Sequence, residues 1–267
     1  MKAYFSYFKL RFITNLQYRA AAWAGIATQV FFGFVYIMVY MAFYESGGKS
    51  LPMELPQLIT YIWLNQSLLS LVNLFYKDQE LFNLVKTGNI AYELIRPKNL
   101  YFMWFFKIIG QRLAMVTLRS IPFILFICLL PEPYRISLPT SPLHFILFII
   151  TLLTGALVMT SLIALYPIIT MKTLNEKGIV GIIVTIADIL SGVVVPIPFF
   201  PKFLQTISKL LPFQYVSDLS FRIYVGNISL TEGMYGLIIQ IIWIIILITT
   251  GYILMHKNLK KVVVQGG

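Results

Sequence analysis

Few side chains in this sequence could do chemistry. His144, His256 and Cys128 are its whole stock of imidazole and thiol groups. Nucleophilic catalysis needs an activated Ser or Cys within reach of a base, and the two histidines flank different apolar runs, where each reads as an interfacial residue. Cys128 lies inside an apolar run, cannot form an intrachain disulfide, and reads as a small packing residue. There is no His-Glu-x-x-His and no carboxylate-rich ligand set, so no metal site is expected. Gly48-Lys49-Ser50 ends like a phosphate-binding loop, but the position of that loop's first glycine is Phe43 and no strand precedes it. The chain is therefore expected to be neither an enzyme nor an ATPase, and to carry no cofactor of its own.

Two ionisable residues stand apart. Arg119 and Asp188 each sit within long apolar stretches, where an unpaired charge is costly and calls for a partner or a water-lined cavity. The expectation is that they pair inside a bundle, and the alternative is that each is satisfied locally.

The elements that must position these residues follow from composition. Of 267 residues 58% are apolar and 12% charged, about half the charge of a soluble domain. Several apolar runs reach about 20 residues, the length that spans a hydrocarbon core of about 30 Å. Six stretches are expected to cross: Ala20 to Tyr44, Leu58 to Tyr76, the later part of Leu100 to Leu130, Leu143 to Met171, Gly178 to Phe200, and Met234 to Met255. The first exceeds a signal-peptide core and lacks its cleavage site, so it is expected to be retained. The second carries Asn65, Gln66 and Asn73 and should face protein or water. The third would be about 46 Å long as one helix, so its basic beginning should project from the membrane. Asp188, Ser191 and Gly192 interrupt the fifth, and Pro196, Pro198 and Pro201 end it. From there to Asn227 the chain is too apolar for a hydrated loop and too interrupted for a span, which fits a re-entrant helical pair. The fold class is thus all-α: a polytopic membrane protein of one transmembrane domain, 1–267.

Lys and Arg give the orientation. Lys2, Lys9, Arg11, Arg19, Lys77, Lys86, Arg96, Lys98, Lys107, Arg112, Lys172, Lys177, Lys257, Lys260 and Lys261 fall on one side, and Lys49, Arg135, Lys202, Lys209 and Arg222 on the other. Fifteen against five puts both chain ends in the cytoplasm. The same bias accounts for the net charge of +11, which leaves no case for nucleic acid.

Two polar segments have amphipathic patterns. In residues 1–19 Phe5, Phe8, Phe12 and Leu16 share a helical stripe with basic flanks, as in a helix lying on an anionic lipid interface; an extended basic tail is the alternative. In the cytoplasmic stretch 77–99, Lys77 to Lys86 reads as a short helix ended by Thr87-Gly88-Asn89. Its apolar residues Leu81, Leu84 and Val85 either lie on the chain's own spans or dock another protein.

This order of elements resembles the permease subunit of ABC-2 type exporters. Gly88-Asn89-Ile90 through Leu94, Arg96 and Pro97 resembles the Gly-x-Ile-x-x-x-Leu-x-Arg-Pro segment of permeases of about this length. Ser191-Gly192, Pro196, Pro198, Phe200-Pro201, Leu211-Pro212-Phe213 and Gly226 resemble the family's region before its last span. The resemblance implies that Asp78, Glu80, Leu81, Leu84, Val85, Gly88, Tyr92, Glu93 and Arg96 form a coupling element received by a separate ABC ATPase subunit, where ATP and Mg would bind. It also implies a second permease, identical or homologous, in a bacterial cytoplasmic membrane. Tyr61, Trp63, Asn65, Gln66, Asn73, Asp188 and Ser191 are the path-lining candidates; the aromatics among them could equally be packing residues. The implied function is ATP-driven export of an amphipathic or hydrophobic substrate. The alternatives are a secondary transporter or channel without an ATPase, and an intramembrane enzyme, which the missing catalytic set disfavours.

Overall fold

The computed structural model describes residues 2–46, 51–95, 98–173 and 178–260; Gly48, Lys49, Ser50, Arg96 and Lys177 lie outside them. Among the described residues the chain is all-helical, with 79% helix and no strand. In order the helices are α1 (Lys2–Asn15), α2 (Arg19–Glu45), α3 (Leu55–Val72), α4 (Gln79–Lys86), α5 (Ile90–Leu94), α6 (Leu100–Cys128), α7 (Pro142–Thr173), α8 (Ile179–Leu190), α9 (Lys202–Leu210), α10 (Asp218–Tyr224) and α11 (Leu230–Leu259). Four of them, α2, α6, α7 and α11, are long and apolar enough to cross a membrane. The other two expected spans are shorter: α3 has 18 residues and α8 has 12, or about 27 and 18 Å of helix.

Each long helix buries one stripe. In α2 the buried residues are Ala22, Ile26, Gln29, Gly33 and Ile37, every third or fourth position, while Phe31, Val35, Met38 and Phe43 stay exposed. That pattern is one helix face on protein and the other on an apolar medium. α3 is different, because it is buried on nearly every side from Leu58 to Val72. Its amides therefore face protein, as their presence in an apolar run suggested.

α7 is the central post, packed by α11, α10, α6 and α4. α11 meets α7 and α10 through small residues: a side chain at Gly233 would strike Leu147 of α7, and one at Gly236 would strike Leu219 of α10. Close approach of backbones over glycine is how helices associate where no hydrophobic drive separates protein from lipid. Gln240, fully buried on α11, donates to the carbonyls of Thr151 (3.0 Å) and Tyr215 (2.8 Å) and accepts from Thr154 Oγ1 at 2.7 Å. It thus ties α11 to α7 and to the turn at Phe213–Val216. Gly155 completes this joint, since a Cβ there would lie 2.5 Å from the carbonyl oxygen of Val216.

The Gly155 contact yields a test. Gly155→Ala must push the Phe213–Val216 turn off α7 and should cost about 1–3 kcal/mol, the range for overpacking. Gly181→Ala, where the added methyl meets open space, should leave stability unchanged or slightly raised. Thermal unfolding of the two variants in detergent reads the contrast.

Candidate functional site

Two places concentrate polar groups, one at each end of the bundle. The first lies where α3 ends and α6 begins. Asp78 caps α4 by accepting from the Leu81 N–H at 3.1 Å, which satisfies one of the donors that a helix start leaves open. Its Oδ1 also accepts from Lys107 Nζ at 3.0 Å, and Oδ2 lies at the same distance. Lys107 is 0% exposed and Asp78 5%, so this is a buried ion pair. Lys107 Nζ also lies 2.9 Å from Glu80 Oε2. Arg11 of α1 then grips Glu80 with both terminal nitrogens, at 3.0 and 2.6 Å. One chain of charge thereby links α4 to α6 and to α1.

Burial works to raise the Glu80 carboxyl, but hydrogen bonds from Lys107 and Arg11 outweigh it and hold it below its ordinary value of 4.5. A lowered carboxyl contributes stability that is complete above that value and lost only as pH falls through the lowered one. The clamp is therefore closed throughout the neutral range.

Arg112 does a related job one turn further along α6. Its Nη1 donates to the Ser70 carbonyl at 2.7 Å and its Nη2 to that of Asn73, so a cation covers the open carbonyl end of α3. It also lies 4.1 Å over the Tyr76 ring.

The second place is the break after α8. Ser191, Gly192 and Val193 leave the helix with their carbonyls unpaired, and three side chains donate to them. Ser217 Oγ reaches Ser191 O at 3.2 Å, Tyr61 OH lies 3.0 Å from Gly192 O, and Asn65 Nδ2 is 2.7 Å from Val193 O. Tyr61 OH is also 2.9 Å from Asp218 Oδ1, which accepts from the Ile197 N–H as well. Gly192 has φ +80°, and a Cβ there would meet Tyr61 OH at 2.8 Å, so only glycine fits. Beside this latch is a cavity of about 630 Å³. Lys209, Asp218, Arg222 and Glu232 give it charge, and Leu219, Ile228, Tyr235 and Ile239 make it apolar elsewhere.

The expected site residues separate as follows. Tyr61, Asn65 and Ser191 meet at the break. Gln66 shares with Tyr61 and Asn65 a cleft closed by Tyr36, Tyr40 and Val193, with free volume of only about 10 Å³. Trp63 lies elsewhere, packed on Phe34, Phe123 and Gly33 with its Nε1 donating to Tyr134 O at 2.7 Å. Asn73 accepts from the Phe75 N–H at 2.7 Å and shapes a turn. Arg119 and Asp188 do not come together. Asp188 Oδ1 is buried with no hydrogen-bond partner, and the Arg119 guanidinium lies over Gly25 of α2. The two sit on α6 and α8, helices that the sequence could not show to be apart.

On the segment between α3 and α6, Leu81 and Val85 are buried in the chain's own core together with Phe82, and Leu84 is packed against it. This corrects their assignment to a partner's surface: the short amphipathic helix has spent its apolar face on α7. Gly88 has a positive φ and ends α4 where the sequence suggested. Instead Phe75, Tyr92 and Ile95 stand out, at 58%, 71% and 77% exposed. Glu93 is half-buried and Glu80 is held by Lys107 and Arg11. Asp218, Arg222 and Lys107 were missed as site residues. Lys107 and Arg222 looked like ordinary juxtamembrane cations, and only Asp218, an acid beside a Leu-Pro-Phe turn, gave a local signal. Among the described residues no group of three His, Cys, Asp or Glu converges as a metal site.

A family model described as an ABC-2 family transporter protein matches residues 27–266. The chain belongs to that family of membrane transport components. No curated protein and no solved structure matches it.

The buried pair makes an asymmetric prediction. Lys107→Met strands Asp78 without a cation and should cost about 3–5 kcal/mol. Asp78→Asn should cost less, because Lys107 keeps Glu80 and Asn still caps α4. The double variant should recover most of the Lys107→Met loss. Unfolding midpoints of the three in detergent decide this.

Proposed function

We propose that this ABC-2 family chain is the permease subunit of an ATP-driven exporter, working with a separate ABC ATPase subunit and a second permease, identical or homologous. The observation that carries this reading is that Phe75, Tyr92 and Ile95 each stay exposed on a segment otherwise fastened to the chain's own helices. Large apolar side chains left exposed on such a segment suit a protein partner. ATP and Mg belong to that partner.

In this reading α2, α3, α6, α7, α8 and α11 make six crossings, with both ends of the chain in the cytoplasm of a bacterium. α1 lies on the inner interface, 77–99 is the coupling segment, and 196–227 re-enters from outside. Closure of the ATPases on ATP moves α4 and α5. The Arg11–Glu80–Lys107–Asp78 chain passes that motion to α1 and α6 together. The closed cleft at Tyr61, Asn65 and Gln66 is the part of the path that must open, which needs two packings of close energy. The substrate class is amphipathic, in keeping with a cavity lined by both charged and apolar residues.

The test separates docking from folding. Tyr92→Ala with Ile95→Ala should weaken retention of the ATPase and ATP-driven transport at least about tenfold, as loss of a binding hot spot does. Stability should stay within about 0.5 kcal/mol, as for exposed positions. Leu81→Ala should instead destabilise the chain itself by about 2–5 kcal/mol. Transport by the purified chain with no ATPase present would overturn the reading.

A further inference from the structure

Arg119 has no hydrogen-bond or ion-pair partner among the described residues, although it sits well inside α6. Its guanidinium is held from one side by Gly25, where a Cβ would lie 2.7 Å from it. Arg119 also borders a cavity of about 290 Å³ between α1, α2 and α6, lined as well by Arg11, Tyr18, Glu80, Gln111 and Met115. The charges around it do not balance. Of the residues that border it, Arg11 and Arg119 are cations and Glu80 is the one acid, already engaged by Arg11 and Lys107. Arg112 spends its donors on backbone carbonyls rather than on an acid. A second group is also unmet: Gln111 is 8% exposed, and its Oε1 is buried with no donor.

Depth narrows what can supply the missing anion. Gly25 is six residues into α2, about 9 Å from its start, and Tyr18 and Trp23 beside it are exposed aromatics of the kind found at headgroup level. An uncompensated arginine at that depth attracts a phosphate, with the guanidinium fork matched to its oxygens. We propose that this cavity binds the headgroup of one membrane phospholipid, its phosphate on Arg119 and a headgroup donor, an ammonium or hydroxyl, on Gln111 Oε1. Its acyl chains then run along the exposed apolar face of α2. The site is independent of export and requires only that the helices lie in a bilayer. Because Arg11 and Glu80 border it, the lipid also touches the charge chain that holds α4.

The experiment uses the full chain in detergent, with bound lipid counted by native mass spectrometry and stabilisation read from thermal unfolding. Dioleoylphosphatidylethanolamine should bind at one per chain and raise the midpoint; dioleoylglycerol, which lacks the phosphate, should do neither. Inorganic phosphate and glycerophosphoethanolamine should not substitute, and if either did so at equal concentration the site would be one for a free anion and the lipid proposal would fall. Arg119→Gln should weaken lipid binding about tenfold. Should that variant fold poorly, Met115→Glu supplies an anion one turn from Arg119: the lipid-free chain should become more stable and lose the lipid-induced shift. Unchanged lipid binding in Met115→Glu, or in a well-folded Arg119→Gln, would refute the site.

Discussion

Where α3 and α8 stop, their last carbonyls point into protein instead of water, and the arrangement of the bundle follows from how those groups are met. An unsatisfied carbonyl costs several kcal/mol in an apolar medium. For α3 the donor is Arg112, with Tyr166 reaching the Leu74 carbonyl at 3.3 Å. For α8 the donors are Ser217, Tyr61 and Asn65. The donors come from other helices, so α3 can end where it does only with α6 and α7 in place, and α8 only with α3 and the start of α10 in place. That dependence explains why α3 is buried all round and why its polar residues tolerate burial.

The two polar centres have different mechanical characters. The Asp78–Lys107 pair is buried and gains little net stability against an apolar replacement, so its value lies in fixing where α4 sits relative to α6 and α1. The latch around Gly192 is a set of single hydrogen bonds to backbone, beside a cavity and a closed cleft. Such bonds are individually modest and can be exchanged for others when helices shift. A rigid end and an exchangeable end are what an element working between two packings needs.

Positive charge links these themes. The excess of Lys and Arg on one side of the chain is often treated as a topology signal alone. Here part of it has structural employment: Lys107 and Arg11 hold α4, and Arg112 closes α3. Arg119 is what remains once Asp78 and Glu80 are engaged, and in the lipid-site proposal a headgroup phosphate meets it.

The sequence by itself determined the helical class, four of its six expected spans as long apolar helices, the break at Ser191-Gly192, the end of α4 at Gly88 and the family region. These depend on run length, local polarity and backbone chemistry, which are properties of neighbouring residues. It also marked Tyr61, Asn65 and Ser191 as unusual, because polar groups in apolar runs must have a reason. Only the tertiary structure decided what the reason was, and which groups meet. Asp218 and Tyr61 are 157 positions apart, and Lys107 and Asp78 are 29. The α4 stripe of Leu81 and Val85 was equally legible as a partner's surface or a core face, since amphipathicity says that a face is covered and not by what. Arg119 and Asp188 shared a need for partners in the sequence, but a need has no direction until the helices that carry it are packed.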